Sequence, residues 1–86
     1  MIHRFSVIVS DNPKSEQEML DLADALGNEG CLDASVGGHE EGVELIFNRE
    51  AVSFDKAIKS AVTEVESAGF RVKRVELARE AISLDA

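Results

Sequence analysis

Apolar and polar residues alternate from Ile2 to Val9, with Phe5, Val7 and Val9 set against Arg4, Ser6 and Ile8. That period of two predicts a half-buried strand, and Asp11-Asn12-Pro13 ends it. The period then lengthens. Met19, Leu22, Ala23 and Leu26 follow at i, i+3, i+4 and i+7, one apolar stripe of a helix. Ser15 and Glu18 have the spacing of a capping box at its start, and Gly30 suits the left-handed position that stops it. Leu32 to Val36 reads as a short strand and Gly37 to Gly42 as a polar, glycine-bounded turn. Val43 to Phe47 then reads as a second strand of a hairpin, with Val43, Leu45 and Phe47 on one face. Ser53 caps a second helix with Asp55 in its first turn; Ile58, Ala61, Val62 and Val65 form its stripe, and Gly69 stops it. A last strand covers Arg71 to Ala78. Its apolar phase slips between Val72 and Val75, which assigns Val72 to the lead-in loop or to a bulge and leaves Val75 and Leu77 as the core pair.

The order is β-α-β-β-α-β. Right-handed crossovers turn it into an α+β, ferredoxin-like sandwich: a four-stranded antiparallel sheet with two helices on one face and the first and third strands as central neighbours. Residues 1–78 form the domain and 79–86 a tail, whose Ile82 and Leu84 are apolar. The predicted core is Phe5, Val7, Val9, Leu22, Leu26, Leu45, Phe47, Ile58, Val62, Val65, Val75 and Leu77. If both helices cover one face, the other is left open. It then carries Ile8 beside Ile46, flanked by Arg4, Glu44 and Arg74, and these five residues are the candidate interaction surface, for a second copy or for the tail.

Size and charge narrow the functions. A chain of 86 residues buries only ~60–65% of its unfolded surface, so a homodimer contact or a protein partner adds proportionately to its stability. No apolar run approaches the ~18 residues of a membrane span, and Met1 to Ser10 has no signal-peptide pattern, so the expected location is cytoplasmic. The net charge of −8 argues against direct binding of nucleic acid, which requires Lys and Arg to displace counterions, and against anionic membranes. Cys31 is the single cysteine, which excludes an internal disulfide framework. Its expected role is a small packed residue, against a redox or catalytic one.

Specific chemistry is sparse. The first loop, Ser10 to Lys14, lacks the paired thiols of a soft-metal carrier and the arginine and N–H cradle of an acylphosphatase-like site. The outward positions of the central strands hold no aromatic residue on which an RNA base could stack. His39-Glu40-Glu41 offers a nitrogen and oxygens, but neither His3 nor Cys31 has a spacing that completes a metal set, so a solvated turn is expected. Gly37-Gly38 and Gly42 precede no Lys-Ser/Thr and no helix, unlike a phosphate loop. Arg49, at the end of the third strand, has two readings: a carboxylate or phosphate anchor, or a local ion pair with Glu50 or Asp55. Arg71, Lys73 and Arg74 read as edge-strand charges, or as a basic patch for an acidic partner. No catalytic residue, metal or cofactor is expected.

Five segments together, Gly30-Cys31-x-Asp33-Ala34, Phe47-Asn48-Arg49-Glu50-Ala51-x-Ser53, Ala57-Ile58-x-Ser60-Ala61, Val65-Glu66-x-Ala68-Gly69 and Val72-x-Arg74-Val75-Glu76, resemble a family of small bacterial proteins of unknown function. The resemblance spans Phe5 to Glu76. In longer relatives this domain resembles an N-terminal module followed by a helix-turn-helix segment, which implies a transcription-factor or antitoxin-like setting. The chain departs from that pattern by stopping at Ala86, without the DNA-reading part. The expected function is a non-catalytic interaction or regulatory module that pairs with itself or another protein. The alternative is a small-ligand-binding domain of the amino-acid-sensing type, and an enzyme ranks third.

Overall fold

The first strand, β1, spans Ile2–Val9, as the alternation predicts. The computed structural model describes residues 1–77; Ala78 and the tail with Ile82 and Leu84 lie outside the described residues. Helix α1 (Glu16–Asn28) starts on Ser15, whose Oγ accepts the Glu18 N–H at 3.1 Å. The reciprocal half of the capping box is displaced by one residue, since the Glu18 carboxylate accepts the Lys14 N–H at 2.6 Å. Helix α2 (Phe54–Ser67) starts on Ser53 in the same manner, its Oγ accepting the Lys56 N–H at 3.2 Å. Gly30 and Gly69 follow the two helices with φ of +98° and +96°, the left-handed geometry expected of helix stops.

The remaining strands are β2 (Ala34–His39), β3 (Gly42–Glu50) and β4 (Val72–Glu76), in the spatial order β2-β3-β1-β4 with every pair antiparallel. This is the ferredoxin-like arrangement, with β1 and β3 at the centre. The hairpin differs from its predicted form. His39 pairs directly with Gly42, so only Glu40 and Glu41 turn, and Gly37, Gly38 and His39 belong to β2 rather than to a loop. Leu32, assigned to the strand by its hydrophobicity, precedes it and is 84% exposed. Gly42 is where the hairpin demands glycine. Its φ is +145°, and a Cβ there would lie 3.0 Å from the Asp11 carbonyl oxygen and closer still to that of Val9.

The slip in β4 is a bulge. Arg74 pairs with Ile8 and Val72 with Val9, so Lys73 is the extra residue, and Val72 and Val75 both pack against the core. The core lies between one sheet face (Phe5, Val7, Val9, Val43, Leu45, Phe47) and the helices (Leu22, Leu26, Ala57, Ala61, Val65), with Cys31 among them. Both helices therefore cover the same face. Four assignments shift. Leu77 is 41% exposed because β4 ends at Glu76, and Ala23 is exposed. The α2 stripe is centred on Ala57, Ala61 and Val65, which leaves Ile58 packed against the core and Val62 half-buried at its margin. Small residues at two of these three positions let the helix backbone approach the sheet closely. No helix among the described residues is long and apolar enough to cross a membrane.

Candidate functional site

Alternation along β3 places Arg49 on the helix-covered face, two residues beyond Phe47. An arginine there must be neutralised, since an unpaired buried charge is very costly. It is 8% exposed and makes four hydrogen bonds. Its Nε and Nη2 each donate at 2.8 Å to one oxygen of Asp33, a bidentate pair. Nη2 also donates to Glu64 Oε1 at 2.8 Å, and Nη1 to Ser60 Oγ at 3.0 Å. The Ser60 hydroxyl in turn donates to the Ala57 carbonyl at 3.0 Å, and the guanidinium stands 5.1 Å from the centroid of the Phe47 ring. Asp33 comes from the loop before β2, and Ser60 and Glu64 are one turn apart on α2, so one side chain ties loop, strand and helix together.

The ion-pair reading of Arg49 therefore holds, with different partners. Glu50, next to Arg49 on the strand, points to the opposite face and accepts from the N-terminal ammonium, while Asp55, in the first turn of α2, pairs with Lys59 at the surface. The cluster's electrostatics follow from its geometry. The guanidinium bonds hold the Asp33 carboxyl below the usual carboxylate range, and Asp33 and Glu64 raise Arg49 further above its ordinary value. Cys31 lies 3.7 Å from Glu64 Oε1; burial first, and the Glu64 charge second, push its thiol up to about 11. A thiol that stays protonated at neutral pH is a poor nucleophile. Among the described residues, no buried side-chain nitrogen or oxygen lacks a partner and no group of three His, Cys, Asp or Glu side chains converges as a metal set would.

The five residues of the candidate interaction surface share the helix-free face. Arg74, Ile8 and Glu44 form one row across β4, β1 and β3; Glu76, Ser6, Ile46 and Ser35 form the next, and Arg4 lies opposite Asn48 in the third. Ile46 is therefore diagonal to Ile8 rather than beside it. Arg4 and Arg74 are exposed and Glu44 and Ile46 half-buried, but Ile8 is fully buried. Of the isoleucine pair inferred from alternation, only Ile46 reaches the surface, and it is half-buried. Ion pairs organise this face. Arg74 grips both Glu41 oxygens at 2.7 and 2.8 Å and Glu76 at 2.8 Å, and Lys73 lies 3.4 Å from Glu41. Arg74 lowers the Glu41 carboxyl to about 2. His39, the last residue of β2, braces the same turn, its Nδ1 accepting the Glu41 N–H at 3.1 Å. Glu41 thus has cationic side-chain partners, and the basic cluster at β4 is matched from within the chain; Arg71 is exposed.

Sequence reasoning identified Arg49 but missed Asp33, Ser60 and Glu64 as its partners, and it weighed His3 only as a metal ligand. That residue is 6% exposed, donates from Nε2 to the Ala51 carbonyl at 3.2 Å and packs its ring 4.7 Å from that of Phe54. Its place in the alternation with Phe5 and Val7 was the available signal. No family model matches the chain, and neither does any curated protein or solved structure.

Proposed function

We propose that the protein is a non-catalytic interaction module of the cytoplasm that works through its sheet. The observation that carries this reading is the contrast between its two polar regions. The interior cluster around Arg49 is buried and satisfied by its own hydrogen bonds, whereas the helix-free face presents Arg4, Glu44, Ile46 and Arg74 at the surface of a four-stranded sheet, with Arg74 oriented by Glu41 and Glu76. A half-buried isoleucine among oriented charges is a pattern suited to a protein partner, with the apolar centre supplying area and the charges fixing register. The resemblance to modules joined to helix-turn-helix segments supports a regulatory setting, in which the partner reads DNA and this acidic chain does not.

The test is site-specific photo-cross-linking in the cell of origin, with the probe placed in turn at Arg4, Ile46 and Glu76. Discrete protein adducts at these positions, and none from a probe at exposed Lys59 on α2, are expected. Absence of adducts, together with a saturable rise in melting temperature on adding a free amino acid, would replace this reading with the ligand-sensing one.

A further inference from the structure

We infer that β2 is a self-pairing edge: two copies of the chain join antiparallel through their β2 strands, merging two sheets into one. This rests on the interaction-module reading and adds to it the partner and the place.

Strand β2 is outermost in the sheet. The Asn48 N–H donates to the Asp33 carbonyl at 3.2 Å, which sets the parity of the ladder. Residues 33, 35, 37 and 39 aim their backbone groups at β3, so those of Ala34, Val36 and Gly38 aim outward. Among the described residues no backbone group pairs with them. Sheet edges are ordinarily defended by charge, proline, bulges or brevity. The opposite edge, β4, is short and bulged and carries Lys73, Arg74 and Glu76. Strand β2 reads Ala-Ser-Val-Gly-Gly-His, with no Lys, Arg, Asp, Glu or Pro and no bulge.

The two glycines are a separate observation. Neither has a positive φ; a Cβ on Gly38 would meet nothing within 4 Å, and one on Gly37 only the Glu44 carbonyl oxygen at 4.0 Å. The fold does not require glycine at either position, and glycine weakens a strand interior. What it permits is close approach by another backbone.

A second copy is the occupant that fits. The chain carries a net charge of −8, and β2 is a charge-free strip along which two such molecules approach with least repulsion. A two-fold axis at Val36 sets Val36 against the partner's Val36 and Ala34 against the partner's Gly38. Every outward N–H and C=O of Ala34, Val36 and Gly38 is then paired, and Ser35 faces the partner's Gly37. No like charges oppose one another along this ladder, and just beyond it Asp33 lies opposite the partner's His39. The contact is isologous and closes at two copies.

Sedimentation equilibrium of the full chain should give twice the monomer mass at micromolar concentration. Ser35→Lys with Gly37→Lys sets two ammonium groups opposite each other across the axis, while the substitution at 37 faces Glu44 within its own chain, which favours folding. This variant should be monomeric with an unchanged circular dichroism spectrum. Amide exchange at Ala34, Val36 and Gly38 should be slow in concentrated and fast in dilute wild-type protein. A monomeric wild type, a dimer that survives both substitutions, or concentration-independent protection of those amides each overturns the inference. A monomeric wild type that still cross-links to another protein through Ile46 would remove the β2 dimer and leave the interaction-module reading standing.

Discussion

Replacing Arg49 by Ala should be the most damaging single change among the polar side chains. It removes four hydrogen bonds at once and leaves Asp33 and Glu64 facing each other without their cation. Breaking a fully buried ion pair from one side costs ~3–5 kcal/mol. The side chains of Asp33 and Glu64 are each 30% exposed, so water recovers part of this, which brings the expected loss to about 2–3 kcal/mol. A chain of this length has a total stability of roughly 4–13 kcal/mol, so the loss is a large share and corresponds to a fall in Tm of about 8–24 °C. Urea unfolding followed by circular dichroism should show a lower midpoint at unchanged slope. The geometry also orders the variants. Asp33→Ala loses the bidentate pair but leaves Arg49 matched by Glu64, and so costs less than Arg49→Ala; Glu64→Ala leaves the bidentate pair intact and costs least. The Arg49–Asp33 double-mutant cycle should give a coupling of ~1–3 kcal/mol. Because the orphaned carboxylates cause much of the damage, Arg49→Met combined with Asp33→Asn and Glu64→Gln should be more stable than Arg49→Met alone. A loss below ~1 kcal/mol for Arg49→Ala, or an Asp33→Ala variant less stable than it, would refute the clamp.

Three other outcomes follow from the structure. Gly42→Ala should be destabilised by more than ~3 kcal/mol or fail to fold, whereas Gly38→Ala should change stability by less than ~1 kcal/mol, since only the first Cβ collides with backbone; urea midpoints compare them. Thermal melts should reveal acid sensitivity: Asp33 and Glu41 have lowered folded pKa values, so their contribution is complete above the ordinary carboxyl range and is lost as each protonates in acid, Glu41 at about 2, and a Tm that does not fall on acidification from pH 5 would contradict both ion pairs. Cys31 should react at pH 8 on the order of a hundredfold more slowly with a disulfide reagent in the folded than in the urea-unfolded chain, because a thiol held near 11 is scarcely ionised there; equal rates would mean the thiol is neither buried nor held by Glu64.

The fold was largely legible because its signals are local. Alternation sets β1, Ser15 and Ser53 start the helices, and glycines follow both ends. Even the bulge in β4 showed as a phase slip between Val72 and Val75. The boundaries that failed did so where hydrophobicity and geometry part company. Leu32 is apolar but lies before its strand, and Gly37 and Gly38 look like a turn yet extend β2, since register with β3 outweighs the weak strand preference of glycine. The site was legible in one residue only. A charged side chain at a core-facing position marks Arg49 for a partner, but Asp33 and Glu64 lie 16 and 15 residues away, and nothing local to either reveals the pairing.

The clamp also bears on the motifs behind the family resemblance. Asp33, Arg49 and Ser60 each fall in one of the quoted segments, and Cys31 and Ala57 from the same segments pack around them. A set of polar residues gathered in one place invites reading as an active site. Here its members satisfy one another: the arginine is neutralised, the hydroxyl donates to its own helix and the thiol is held protonated. In this chain these residues tie a loop, a strand and a helix together. The proposed interaction reading rests instead on positions a motif search passes over: the backbone of an uncharged edge strand, and a sheet face whose charges are paired across its strands.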